Sequence, residues 1–184
     1  KSTARREDDK WVLNGAKIYI TNSATPVTLG STVQVVSGEK NGKPEFTTFL
    51  MENDTPGFTQ EPMNRKMMWR ASNTGRLTFN NVELTNDNML GAPGQGSHIM
   101  LATLDGGRLS IAAMALGCAQ GAYEMALAYS KEREQFGKQI CKFQAVSFKL
   151  ADMAMKIEAA RCLLYKACRI KDAGMPFGKE AAMA

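Results

Sequence analysis

Few side chains in this sequence can do chemistry unaided. There is one histidine, His98, so neither a His-rich metal site nor a Ser-His or Cys-His relay built on any other imidazole is available. The cysteines Cys118, Cys141, Cys162 and Cys168 lack CxxC spacing and suggest neither zinc nor a disulfide framework, so no metal is expected. Leu90-Gly-Ala-Pro-Gly-Gln-Gly96 fits neither the P-loop nor the GxGxxG spacing and reads as a connector. Gly106-Gly107-Arg108 stands inside a helical stretch, where each glycine costs about 1 kcal/mol relative to alanine. The cost points to close approach, by a neighbouring helix or by a ligand, and helix packing is the simpler reading at Gly117 and Gly121. Arg108 has an alternative as the helical-turn partner of Asp105. Any demanding reaction must therefore use a bound cofactor.

The elements that position these residues fall into two halves. Up to about Pro93 the sequence is rich in β-formers and turns. Asn14-Gly15 divides two extended runs as a tight-hairpin signal, and Asn41-Gly42, between Ser31–Val36 and Glu45–Met51, predicts a second hairpin with a longer loop. Short runs follow around Gly57–Glu61, Arg76–Asn80 and Val82–Leu84. From about Ser97 the period is helical. A first helix covers about Ser97–Lys131; in a second, Phe143, Leu150, Ile157 and Leu164 alternate with Val146, Met153, Ala160 and Ala167 as a heptad seam, ended by Gly174 and Pro176. The predicted class is α+β: an antiparallel β-barrel or sandwich over residues 1–93, then a truncated bundle of two long antiparallel helices over 94–184.

Two helices cannot close a bundle, so the seam needs a further segment or a second copy. Both termini read as cuts, Lys179–Ala184 as a helix just beginning. A net charge of +5 makes the surface mildly attractive to phosphates, but without an aromatic-interleaved basic run nucleic acid is not an expected partner. No apolar stretch is expected to reach the roughly 20 residues of a membrane span.

Five blocks in fixed order resemble the acyl-CoA dehydrogenases: Leu13-Asn-Gly-Ala-Lys-Ile-Tyr-Ile-Thr-Asn22; Lys66-Met with Ser72-Asn-Thr and Leu77-Thr-Phe-Asn-Asn-Val-Glu-Leu; Leu104-Asp-Gly-Gly-Arg108; Arg133-Glu-Gln-Phe-Gly137; and Phe148-Lys-Leu-Ala-Asp-Met153. Short-chain members look closest. The resemblance implies the middle β-domain and the first helices of the C-terminal domain of a flavoenzyme that assembles as a dimer of dimers, a homotetramer. It implies FAD as cofactor, acyl-CoA as substrate, electron-transfer flavoprotein as electron acceptor, and a place in fatty-acid β-oxidation. The expected compartment is the bacterial cytoplasm or the mitochondrial matrix.

By the same resemblance Tyr19, Ile20 and Thr21 meet the isoalloxazine, with Tyr19 where Trp is commoner. Arg133 with Phe136 meets the FAD diphosphate of a neighbouring subunit, Gln144 makes another FAD contact, and Asp105, Gly106, Gly107 and Arg108 meet the acyl-CoA. Read without it, Tyr19 and Thr21 are ordinary strand residues, Tyr19 in a cross-strand core, and Lys131–Glu134 is a solvated helix end. Asn73 stands where the family usually has Asp. In the family a glutamate removes the α-proton while the β-hydrogen leaves as hydride to the flavin. One family position for that base falls on Gly107 and the other beyond Ala184, so no catalytic residue is expected among these 184, and this piece alone is expected neither to turn over nor to hold FAD tightly. An acyl-CoA oxidase and a non-enzymatic helical assembly module are the alternatives.

Overall fold

The computed structural model describes residues 2–184, which divide into two compact units, one reaching Leu101 and the other Ala102–Ala184. The α+β class holds. In the first unit the strands are β1 (Thr3–Glu7), β2 (Lys10–Thr21), β3 (Gly30–Lys40), β4 (Lys43–Glu52), β5 (Phe58–Pro62), β6 (Thr74–Leu84) and β7 (Met89–Leu90). They form one sheet in the order β5-β6-β2-β1-β3-β4-β7. Pairing is antiparallel except between β1 and β3, where Thr3 meets Val36 in parallel, so the sheet is mixed.

The expected barrel takes the form of one curled, open sheet. Trp11 on β2 and Phe49 on β4 touch with ring centroids 5.5 Å apart, although β1 and β3 lie between their strands. Across a flat sheet that separation would be about 14 Å at the usual interstrand spacing. The sheet therefore curls over one face and encloses a core of Leu13, Phe49, Met51, Leu77 and Val82, all buried. Its outer strands β5 and β7 do not pair with each other, so the barrel is not closed.

Both Asn-Gly pairs behave differently from expectation. Asn14-Gly15 is not a hairpin: β2 runs straight through it, and the register against β6 shifts between Leu13 and Gly15. The Asn14 side chain donates to Asn81 Oδ1 and accepts from the Asn81 backbone N–H, each at 2.9 Å. Positive φ serves a bulge as well as a turn, and the cross-strand partners decide which forms. At Asn41-Gly42 the connection is tighter than expected, two residues with φ of 54° and 72° closing Lys40 against Lys43. The runs at Arg76–Asn80 and Val82–Leu84 are one strand, β6, with Asn81 at φ 49° inside it. The glycine-rich stretch is the expected connector: a Cβ on Gly96 would lie 2.7 Å from Phe46 O, so only glycine lets it pass that close to β4.

Helix α1 (Gly96–Glu132) runs from the first unit into the second, which also holds the hairpin strands β8 (Glu134–Gln135) and β9 (Lys138–Gln139) and helices α2 (Gln144–Asp172) and α3 (Gly178–Met183). The predicted seam of α2 is its least exposed face: Ile157, Leu164 and Ala167 are buried and pack with Leu109 and Leu116 of α1. Arg161 donates to Gln120 at 2.8 Å midway along this contact. The α2 end is a Schellman motif, with Gly174 at φ 69°, its N–H on Lys171 O and the Met175 N–H on Ile170 O. No neighbour lies within 4 Å of a Cβ built on Gly117 or Gly121, so packing within this chain does not account for them. Contrary to expectation, α1 is long and apolar enough by length and composition to cross a membrane, because Ala, Gly, Met and Leu fill most of its faces.

Leu13 is fully buried, so Leu13→Ala is expected to cost about 2–5 kcal/mol in a denaturant titration, whereas Leu50→Ala, on a half-exposed side chain, should stay within about 0.5 kcal/mol.

Candidate functional site

The last third of β2 departs from strand geometry. Lys17 pairs with Leu77 and Ile20 with Gly75, so Ile18 and Tyr19 together oppose Arg76 alone. This bulge breaks the alternation of faces and leaves both side chains exposed, Tyr19 at 70%. Tyr19 has φ 61°, a left-handed backbone that costs a bulky residue roughly 1–2 kcal/mol. Tyr19 is therefore not a cross-strand core residue. Ile20 packs against the core, while Thr21 opposite Thr74 is exposed. Burial holds the Lys17 ammonium below its ordinary pKa just before the bulge.

Behind this strand end lies a clamp in residues that sequence reasoning gave no role. Ser23 is buried and donates to Ile20 O at 2.9 Å. Asn22, at φ 55°, donates its N–H to Asn73 O at 3.0 Å. The Asn73 side chain accepts from Ala24 N–H and donates to Ala24 O, each at 3.1 Å. Gly75 must be glycine, since a Cβ there would overlap Ser23 Oγ and press on Ala24. Lys66 donates to Ser72 O and to Thr74 Oγ1 and so fixes both neighbours of Asn73. No local spacing signals a contact between residues 49 positions apart.

In the second unit, the Leu104–Arg108 block is divided between two surroundings. Gly107 and Arg108 line an open, mostly apolar groove of about 840 Å³ with Leu104, Ile111, Ala115 and Ala181. A Cβ on Gly107 would meet nothing within 4 Å. Asp105 lies instead against Gly178 at the start of α3, and Gly106 faces Lys171 at ordinary contact distance. Arg108 Nη1 donates to Asp105 Oδ1 at 2.5 Å, so the ion pair within one helical turn is present while Arg108 still borders the groove.

Arg133, Phe136 and Gln144 surround the β8–β9 hairpin. Phe136-Gly137 is its two-residue turn, with φ of 52° and 78°. Phe136 is 91% exposed and meets Phe143 edge-on at 6.2 Å. Arg133 follows α1 with its side chain exposed and, among the described residues, without a carboxylate partner. Gln144 opens α2, whose N-terminus has no side-chain cap. Glu124 accepts from Gln120 and Glu158 pairs with Arg161, and neither carboxylate lines the groove.

If the left-handed bulge stores strain for a purpose other than folding, Tyr19→Asn, which tolerates that backbone, should raise stability by about 0.5–1 kcal/mol in chemical denaturation. A loss of that size would show that the ring contributes packing.

Residues 1–82 match the domain family "Acyl-CoA dehydrogenase, middle domain" and residues 94–184 match "Acyl-CoA dehydrogenase, C-terminal domain". The chain is 46% identical over 181 residues to the short-chain specific acyl-CoA dehydrogenase of Megasphaera elsdenii, covering 98% of this chain and 46% of that protein. The structure of butyryl-CoA dehydrogenase from Megasphaera elsdenii superposes with a TM-score of 0.93 at 46% identity, covering 100% of this chain and 48% of that one. A glutaryl-CoA dehydrogenase from Mycobacterium smegmatis, solved in complex with FADH2, superposes with a TM-score of 0.88 at 33% identity, covering 100% of this chain and 45% of that one. The chain thus spans just under half the length of these relatives.

Proposed function

The chain belongs to the acyl-CoA dehydrogenase family, and on that premise we propose that its protein oxidises a short-chain acyl-CoA to the trans-2-enoyl-CoA with FAD, passing electrons to an electron-transfer flavoprotein. The observation that carries this reading is the bulge that holds Tyr19 exposed on a left-handed backbone beside Thr21. An ordinary strand has no use for that strain, whereas a flat ring beside a hydroxyl suits a flat polar heterocycle. The short-chain preference rests on the relatives, one of which is described as short-chain specific.

The residues present fit the cofactor. Tyr19 would lie against the isoalloxazine, and Ile20 and Thr21 would offer backbone and hydroxyl hydrogen bonds to its edge. Arg133, free of a carboxylate, would bind the diphosphate of a neighbouring subunit's FAD through its planar fork, with Phe136 and Gln144 beside it. This sharing makes the protein a homo-oligomer, consistent with a dimer of dimers. FAD, when bound, supplies the hydride acceptor. In the second unit the groove along Gly107, Ile111 and Ala115 would receive the acyl chain and exclude water from it, the missing side chain at Gly107 leaving room. Arg108, held by Asp105, would sit at its polar border. No base is assigned among these residues.

Purified full-length protein should show an oxidised flavin spectrum that bleaches on anaerobic addition of butyryl-CoA. A flavin spectrum indifferent to butyryl-CoA would move the substrate elsewhere, and a folded protein that refuses FAD would end the reading. In the same protein Arg133→Ala should weaken FAD binding between about tenfold and a hundredfold, the range for losing a charge-assisted hydrogen bond, as measured by FAD titration of the apoprotein.

A further inference from the structure

We propose that Asn73 is a positioning residue for the cofactor, acting through Thr21; the inference rests on the FAD reading above. Tyr19 and Asn22, with φ of 61° and 55°, bracket Thr21, so the backbone that presents Thr21 turns sharply on both sides. On the near side it is fixed by pairing of Ile20 with Gly75 and Thr21 with Thr74. On the far side the chain leaves the sheet, and the three hydrogen bonds that tie residues 22–24 back to the start of β6 all run to Asn73: its carbonyl on Asn22 N–H, and its side-chain amide on both backbone groups of Ala24.

The chemistry of the side chain is specific. An amide presents one acceptor and one donor in a plane, which matches the N–H and C=O of a single residue. An aspartate has the same shape and would keep the bond from Ala24 N–H, but its second oxygen would face Ala24 O with no proton to give. The turn uses the donor that an aspartate would lack. Lys66 completes the device from behind, bonding the residues on either side of Asn73. Asn73 itself is only partly buried and adds nothing to the hydrophobic core, so its bonds mainly fix the direction of the strand end.

The test compares wild type, Asn73→Asp and Asn73→Ala in the full-length protein. Three quantities are read: the FAD dissociation constant of the apoprotein, the visible band of the bound flavin, and hydrogen exchange at the Ala24 amide without FAD. The alanine variant should bind FAD about tenfold more weakly, and the aspartate variant, which keeps the bond from Ala24 N–H, about fivefold, the effects of two and of one net hydrogen bond, each with a shifted flavin band. In the alanine variant Ala24 should exchange faster while the apoprotein keeps its denaturation midpoint. FAD affinity within about twofold of wild type, with an unshifted band, would overturn the proposal, as would a loss of affinity that only tracks a loss of apoprotein stability. Should the alanine variant fail to fold, the isosteric Asn73→Asp decides on the same criteria. A wild-type protein that takes up no FAD overturns the flavin reading and this inference with it.

Discussion

A twelve-residue strand must stay paired with β6 while turning two adjacent side chains, Ile18 and Tyr19, off the sheet. The structure around the end of β2 follows from that demand. The strand cannot simply end, because Ile20 returns to the core and Thr21 to the ladder. It therefore takes the irregularity internally, as a bulge with one residue left-handed, and the surrounding chain must hold it there. Gly75 lets the following turn come close, Ser23 closes it from inside, and Asn73 with Lys66 braces it from the connection that leads into β6.

The second unit works by a different economy. Its helices meet along one seam, and the remaining faces stay open, Ile111, Met125 and Tyr129 on α1 and Phe148 and Tyr165 on α2 among them. Small residues at Gly107, Ala112 and Ala115 give α1 a groove where larger ones would have filled it. The hairpin between α1 and α2 turns on two left-handed residues, with Phe143 edge-on to Phe136. Exposed cationic and aromatic side chains are thus offered from a defined backbone.

Much of this was legible in the sequence where the period is long. The heptad seam from Phe143 to Ala167 named the buried face of α2, and Gly174 named its end, because a repeating apolar pattern and a left-handed cap are local signals. The β-half was less legible. Asn14-Gly15 looks like a turn because the pair tolerates positive φ, and only the distant Asn81 makes it a bulge. The curl that joins Trp11 to Phe49 depends on strand order, which spacing along the chain does not encode. Tyr19 and Thr21 were singled out through their family block, but the left-handed backbone at Tyr19 was invisible, since tyrosine is a poor choice for it on propensity. Asn73 lay inside a recognised block, yet its partner is 49 positions away and no local rule connects them.

The two Asn-Gly pairs also set how the protein ages. An asparagine followed by glycine is chemically labile, because the unhindered glycine nitrogen can close on the side-chain amide and release ammonia, leaving aspartate or isoaspartate. Asn14 is sheltered, its amide occupied on both sides by Asn81 in the middle of a paired strand. Asn41 stands exposed at a hairpin tip. Slow loss of amide nitrogen will therefore start at the tip of the β3–β4 hairpin, adding negative charge to a basic protein at a point remote in sequence from Tyr19, Arg133 and the groove, and a stored sample will become heterogeneous in charge before it loses its fold.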